Sequence, residues 1–246
     1  MNSKEISQNS KKRTHFGGAV VWFVFLAAVA AAIFFLYTQA GAVISPASQP
    51  SVTVTQPAPA EIKEGQWELV LVNWEHSLPT DWNPQLTLLS NGEQIDERVY
   101  PYLQKMFDDA RRQGVFPVVS SGYRTQETQQ KLYDEEIAKY REQGYGEQEA
   151  IEKASGWVAL PGTSEHQLGL AADINADTLR SSSEEVYQWL AENSWRYGFI
   201  LRYPQDKVAI TKIEYEPWHF RYVGKEAAKE MYESGLCLEE YLAKKG

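Results

Sequence analysis

Hydrophobic positions recur along this chain with two periods, and each segment they mark ends at a glycine, a proline or a polar cluster. "WELVLV" (67–72), "VFPVVSS" (115–121), "LAADI" (170–174), "FILRY" (199–203) and "WHFRYV" (218–223) are short apolar runs rich in β-branched and aromatic residues, and they predict strands. In the 170–174 run, Leu170, Ala172 and Ile174 point to one side, and Ala171 and Asp173 to the other. Val99, Leu103, Met106 and Ala110 repeat at helical spacing and predict a helix over 97–113, stopped by Gly114. Thr125 caps a second helix that carries Leu132, Tyr133, Ile137 and Tyr140 to about residue 143, and a short helix over 147–154 follows. Ser182 and Glu185 form a capping box for a helix reaching Tyr197, with Gly198 as its stop. Helices over 225–234 and 237–244 close the chain, and residues 203–217 carry no readable period. Strands and helices mix without repeating βαβ units, so the expected class is α+β, a small antiparallel sheet flanked by helices.

A different pattern occupies the N-terminal 60 residues. Residues 19–37 are uncharged and almost wholly apolar, long enough to span a hydrocarbon core of ~30 Å. Lys11, Lys12 and Arg13 precede the run and no charge follows until Glu61, which places the N-terminus inside and the rest outside. The expected organisation is a cytoplasmic tail over 1–15, a transmembrane anchor over 16–37, a proline-rich linker over 38–60 and an exported domain over 61–246. A cleaved signal peptide, cut near Ala40-Gly41-Ala42, is the other reading, and it exports the same domain.

Charge and cysteine narrow the function. The chain is −9 overall, and residues 1–60 are +3, which leaves −12 on residues 61–246. So acidic a domain argues against nucleic acid as a partner. The lone Cys237 excludes an intrachain disulfide and lies between leucines, as a small buried hydrophobe would.

Of four histidines, His15 precedes the apolar run and His76 sits in a polar loop. His166 lies on a loop between Gly162 and Gly169, seven residues before Asp173, the one charge on an apolar strand. A buried carboxylate needs a partner, an arginine or a metal. His219 follows Glu216 by three residues, and Pro217 between them allows a bend that aims both at one point. Catalytic zinc takes three protein ligands and leaves one position for water. His166, Asp173 and His219 supply such a set, with Glu216 as general base. On spacing alone, a hydrogen-bonded core cluster remains open.

"SSGYRTQETQQKLY", "GTSEHQLGLAADI", "YGFILRYP" and "YEPWHFRYVG", in that order, closely resemble the VanY-type zinc D-alanyl-D-alanine carboxypeptidases, whose relatives include wall L,D-carboxypeptidases and VanX dipeptidases. Ser164, His166, Gly169, Ala171 and Asp173 match the family's Ser-x-His-x-x-Gly-x-Ala-x-Asp pattern, and Glu216 and His219 match its Glu-x-x-His pattern. The resemblance covers roughly residues 67–244. It implies a fold of the hedgehog and D-Ala-D-Ala peptidase type and Zn²⁺ on His166, Asp173 and His219. It implies that Glu216 activates water and that Arg124 stabilises the charge developing on the substrate carbonyl. Arg124, Gln129 and Ser164 would contact the peptide. Trp218 either walls the cleft or packs beside it. The implied substrate is the peptidoglycan stem pentapeptide, cut by a monomer; an L,D-carboxypeptidase acting on tetrapeptides and an inactive wall-binding module are the alternatives. No Ser-x-x-Lys, Ser-Asp-Asn or Lys-Thr-Gly element occurs, so a serine D,D-peptidase is excluded.

Overall fold

A computed structural model describes residues 55–63 and 65–245. The described residues belong to one compact unit that begins at Thr55. The expected tail and membrane span fall outside the described residues, among which no helix is long and apolar enough to cross a membrane.

In chain order the strands are β1 (Ala58–Pro59), β2 (His76–Ser77), β3 (Leu86–Leu88), β4 (Gln94–Asp96), β5 (Pro117–Ser121), β6 (Ala171–Ala176), β7 (Phe199–Leu201) and β8 (His219–Tyr222). The α-helices are α1 (Tyr100–Arg112), α2 (Gln126–Glu142), α3 (Glu147–Ser155), α4 (Ser183–Asn193), α5 (Val208–Thr211), α6 (Lys225–Ser234) and α7 (Leu238–Lys245). The α+β expectation holds. The central sheet runs β5-β6-β8-β7 with every pair antiparallel.

The sheet is apolar on one face. Leu170, Ala172, Ile174 and Phe220 enter the main core, where they meet Leu103, Met106, Phe107 and Ala110 of α1 and Val186, Trp189 and Leu190 of α4. Fully burying one such large side chain contributes about 1.5–3 kcal/mol. A smaller cluster beneath α6 and α7 holds Val223, Met231 and Leu238, with Cys237 buried beside Leu238 as expected. Both sequence-read caps form: Thr125 Oγ1 accepts the Thr128 N–H at 3.2 Å, and Ser182 and Glu185 bond each other's backbone. Such a cap contributes about 1 kcal/mol.

Two expectations need correction. Residues 67–72 are not a strand; Trp67–Leu69 form a 3₁₀ turn. Their carbonyls are taken by a side chain instead of a neighbouring strand, because Arg221 Nη2 donates to Glu68 O at 2.9 Å and Val70 O at 2.8 Å. The expected linker also stops short of Ala60. Ala58–Pro59 pair in parallel with His76–Ser77, and Ala60 is buried.

Candidate active site

Strand register builds the site. Asp173 on β6 stands opposite His219 on β8. Directly opposed residues share a face, so both side chains leave the sheet together on the side away from the main core. Ser121, after the irregularity between Val119 and Ser121, pairs with Asp173 on its other flank. The third group, His166, sits on the 3₁₀ turn Glu165–Leu168, which ends at Gly169 with φ 74°. A Cβ there would lie 3.2 Å from the Asp96 N, in a backbone region that favours glycine.

One donor atom from each of His166, Asp173 and His219 lies within 4.8 Å of the other two. Asp173 Oδ1 is 3.3 Å from His166 Nε2 and 3.2 Å from His219 Nδ1. Ligand bonds of ~2.0–2.2 Å to a tetrahedral ion put ligand atoms about 3.3–3.5 Å apart, so both separations from Asp173 have the spacing of such a site. Among the described residues, His166 Nε2 and Asp173 Oδ1 are buried without a hydrogen-bond partner, as atoms meant for a metal would be.

The opposite nitrogen of His166 is committed: Nδ1 stands 2.7 Å from Gly122 O, so Nδ1–H donates and Nε2 keeps its lone pair for the cluster. Gly122 also lets β4 pass close by, since a Cβ there would fall 2.1 Å from Gln94 O. Burial pushes His166 down to about 4 and thus keeps it neutral.

Glu216 is brought in by the bend anticipated at Pro217. The His219 N–H donates to Glu216 O at 3.2 Å, which closes a four-residue turn, and Glu216 Oε2 lies 3.4 Å from His219 Nδ1. Burial lifts the Glu216 carboxyl to about 7; His219 opposes that rise and Asp173 adds to it. A carboxylate poised near neutrality beside three donors suits proton transfer. In His219, burial works against the charged ring, but the carboxylates of Asp173, Glu165 and Glu216 around it outweigh that and raise the group to about 9.

Arg124 grips the second oxygen of Asp173, Nη2 to Oδ2 at 2.5 Å, and its Nε donates to Ser121 Oγ at 2.8 Å. One carboxylate therefore faces the histidines with Oδ1 and the guanidinium with Oδ2. Arg124, Gln129 and Ser164 all line a cleft of ≈ 280 Å³ that reaches the three donors and Glu216. Gln129 Nε2 donates to Ala159 O at 2.8 Å, while its Oε1 is buried without a partner among the described residues. Trp218 lines the cleft too, which decides the question its position left open. Arg124, Gln129, Ser164, His166, Asp173, Glu216 and His219, the residues expected to form the site, all line this one cleft.

Glu165, Tyr203 and Trp157, which no motif marked in the sequence, also stand at the site. Tyr203 packs its ring 4.8 Å from that of His219, and Trp157 lines the cleft. Glu165 is buried, and its Oε1 accepts from Arg202 Nε at 2.8 Å and Arg221 Nη1 at 2.7 Å. Arg202 and Arg221 interrupt two apolar strands, and buried arginines require a carboxylate, but nothing in the sequence picks out which one.

Comparisons with known proteins place this geometry. The family model described as VanY, D-alanyl-D-alanine carboxypeptidase, matches residues 92–225. The chain belongs to the VanY family. A D-alanyl-D-alanine carboxypeptidase of Enterococcus faecalis is 53% identical over 205 residues, covering 83% of this chain and 76% of the relative. The solved structure of VanYB in complex with D-alanine-D-alanine superposes with a TM-score of 0.72 at 57% identity, over 73% of this chain and 99% of that one. A VanY D,D-pentapeptidase variant from a VanB-type resistance cassette, solved with Zn(II), gives 0.70 at 58% identity, over 72% and 99%. The LdcB L,D-carboxypeptidase is more distant, at 0.62 and 34% identity over 77% and 98%.

Proposed function

We propose that this VanY-family chain is a zinc-dependent D,D-carboxypeptidase that removes the C-terminal D-alanine from peptidoglycan stem pentapeptides. The observation that carries the reading is the sheet register, which sets Asp173 opposite His219 and so gathers three donors beside Glu216 at the end of one cleft. His166 Nε2, Asp173 Oδ1 and His219 Nδ1 would hold the ion. Zinc, when bound, lowers the pKa of a water toward ~7 and polarises the scissile carbonyl.

The chain's own groups do the rest. Glu216 takes a proton from the attacking water and returns it to the departing amine of D-alanine. Arg124, anchored through Asp173 and Ser121, stabilises the negative charge that develops on the carbonyl oxygen as water adds, before that oxygen re-forms the carbonyl and the C–N bond breaks. Gln129 and Ser164 line the same cleft and would face the peptide. A single copy holds all these residues, which supports a monomer. The apolar run 19–37 with its basic flank supports a single-pass membrane anchor, N-terminus inside and catalytic domain outside. There the domain meets its polymeric substrate.

The greater identity to VanY structures than to LdcB favours the D,D reading over the L,D one. Free D-alanine released from defined pentapeptides and tetrapeptides, with and without chelator, tests it. Pentapeptide cleavage that chelator abolishes is expected. Preferential tetrapeptide cleavage would move the enzyme to the L,D class, and no release from either would overturn the activity.

A further inference from the structure

Glu165 takes no part in the chemistry above, yet the fold fixes it rigidly. Its Oε1 accepts from Arg202 and Arg221, both fully buried. Arg202 is held from behind by Glu239 of α7, at 2.9 and 2.6 Å, and Asn73 Nδ2 bonds that carboxylate in turn at 3.1 Å. Arg221 is held by the Glu68 and Val70 carbonyls. With Oε1 pinned, the position of Oε2 is set as well. It lies 3.6 Å from His219 Nε2, and both atoms are buried with no hydrogen-bond partner among the described residues. A ring tilt of a few tenths of an ångström brings them within bonding distance. The other nitrogen of the ring, Nδ1, is the one that faces Asp173 Oδ1.

We propose that Glu165 is a positioning residue for the metal centre: it accepts the His219 Nε2–H and thereby leaves the Nδ1 lone pair free to ligate. The proposal rests on the zinc reading of the site. It gives His219 what Gly122 O gives His166, an acceptor that selects the tautomer. The two rings then ligate through different nitrogens, Nε2 for His166 and Nδ1 for His219. An ionised carboxylate only accepts, so it cannot support the wrong tautomer.

Glu165→Gln reverses that logic at nearly constant shape. The two arginines claim the amide oxygen, so the amide NH₂ faces His219 Nε2 and favours a proton on Nδ1. Zinc affinity, measured on metal-free protein by competition with a chromophoric chelator, is expected to fall roughly 10–100-fold. A variant that folds and binds zinc as tightly as wild type would overturn the proposal. Long-range ¹H–¹⁵N spectra of zinc-loaded wild-type protein need no variant and decide the matter even if the substitution prevents folding. Nδ1 ligation with a protonated Nε2 on His219 is expected, and ligation through Nε2 overturns the proposal. A wild-type chain that binds no zinc in the same competition assay would instead remove the metal reading itself, and this proposal with it.

Discussion

Glu216→Gln separates what the site does from what it costs the fold. Glu216 is only 7% exposed, and burial raises its carboxyl from 4.5 to about 7. The folded state thus holds a proton that the unfolded chain has already released. The stabilisation linked to that proton is fully present below about 4.5 and is lost as pH rises through about 7. At 1.36 kcal/mol per pH unit, ionising Glu216 at pH 8 costs the metal-free fold about 3 kcal/mol. Glutamine has nearly the same shape and cannot ionise. The metal-free variant is therefore expected to be more stable than wild type by up to about 3 kcal/mol at pH 8, and by almost nothing at pH 4. Its three proposed ligands are untouched, so zinc binding persists, while turnover falls by roughly 10²–10⁴-fold with loss of the base. Denaturant unfolding of chelated protein at the two pH values measures the first effect, and elemental analysis with a D-alanine release assay the others. Equal stabilisation at both pH values, or none at pH 8, would refute the desolvation argument. Undiminished turnover would refute the assignment of the base.

Two further outcomes follow from the site. Arg124→Ala is expected to lower kcat by roughly 10²–10³-fold, with Arg124→Lys recovering part of the loss; an unchanged kcat would remove the oxyanion role. Zinc binding needs a neutral His219, a group raised to about 9, whereas His166 at about 4 is already neutral near pH 7. Affinity is therefore expected to climb about tenfold per pH unit, or roughly 100-fold from pH 6 to pH 8; a flat profile in chelator competition would contradict it.

How much of this was legible in the sequence depended on how local the signal was. The caps at Thr125 and Ser182, the amphipathic face of α1 and the alternation through Ala171 and Asp173 are set by neighbours within a few residues, and the structure keeps each of them. Residues 67–72 misled because a strand-like composition met a guanidinium instead of a partner strand. The two-residue β1 and β2 and the three-residue β3 and β4 are too short to show a period. In the site, His166, Asp173, His219 and Glu216 stood out as scarce or misplaced polar groups. Glu165 did not, since one more glutamate on a polar loop reads as solvated. Only the fold shows that a 3₁₀ turn points it inward between two arginines from β8 and the end of β7.

Asp173 divides one carboxylate between the histidines and Arg124. Two binding events that draw on the same charge are thermodynamically coupled, and such coupling is reciprocal. An anion in the cleft that pulls the guanidinium from Oδ2 leaves more negative charge for the atom at Oδ1, so the anion and the ion strengthen or weaken each other's hold by the same factor. The protein's grip on its metal is thus not a constant of the site; it is a quantity that substrate, product and inhibitor each reset.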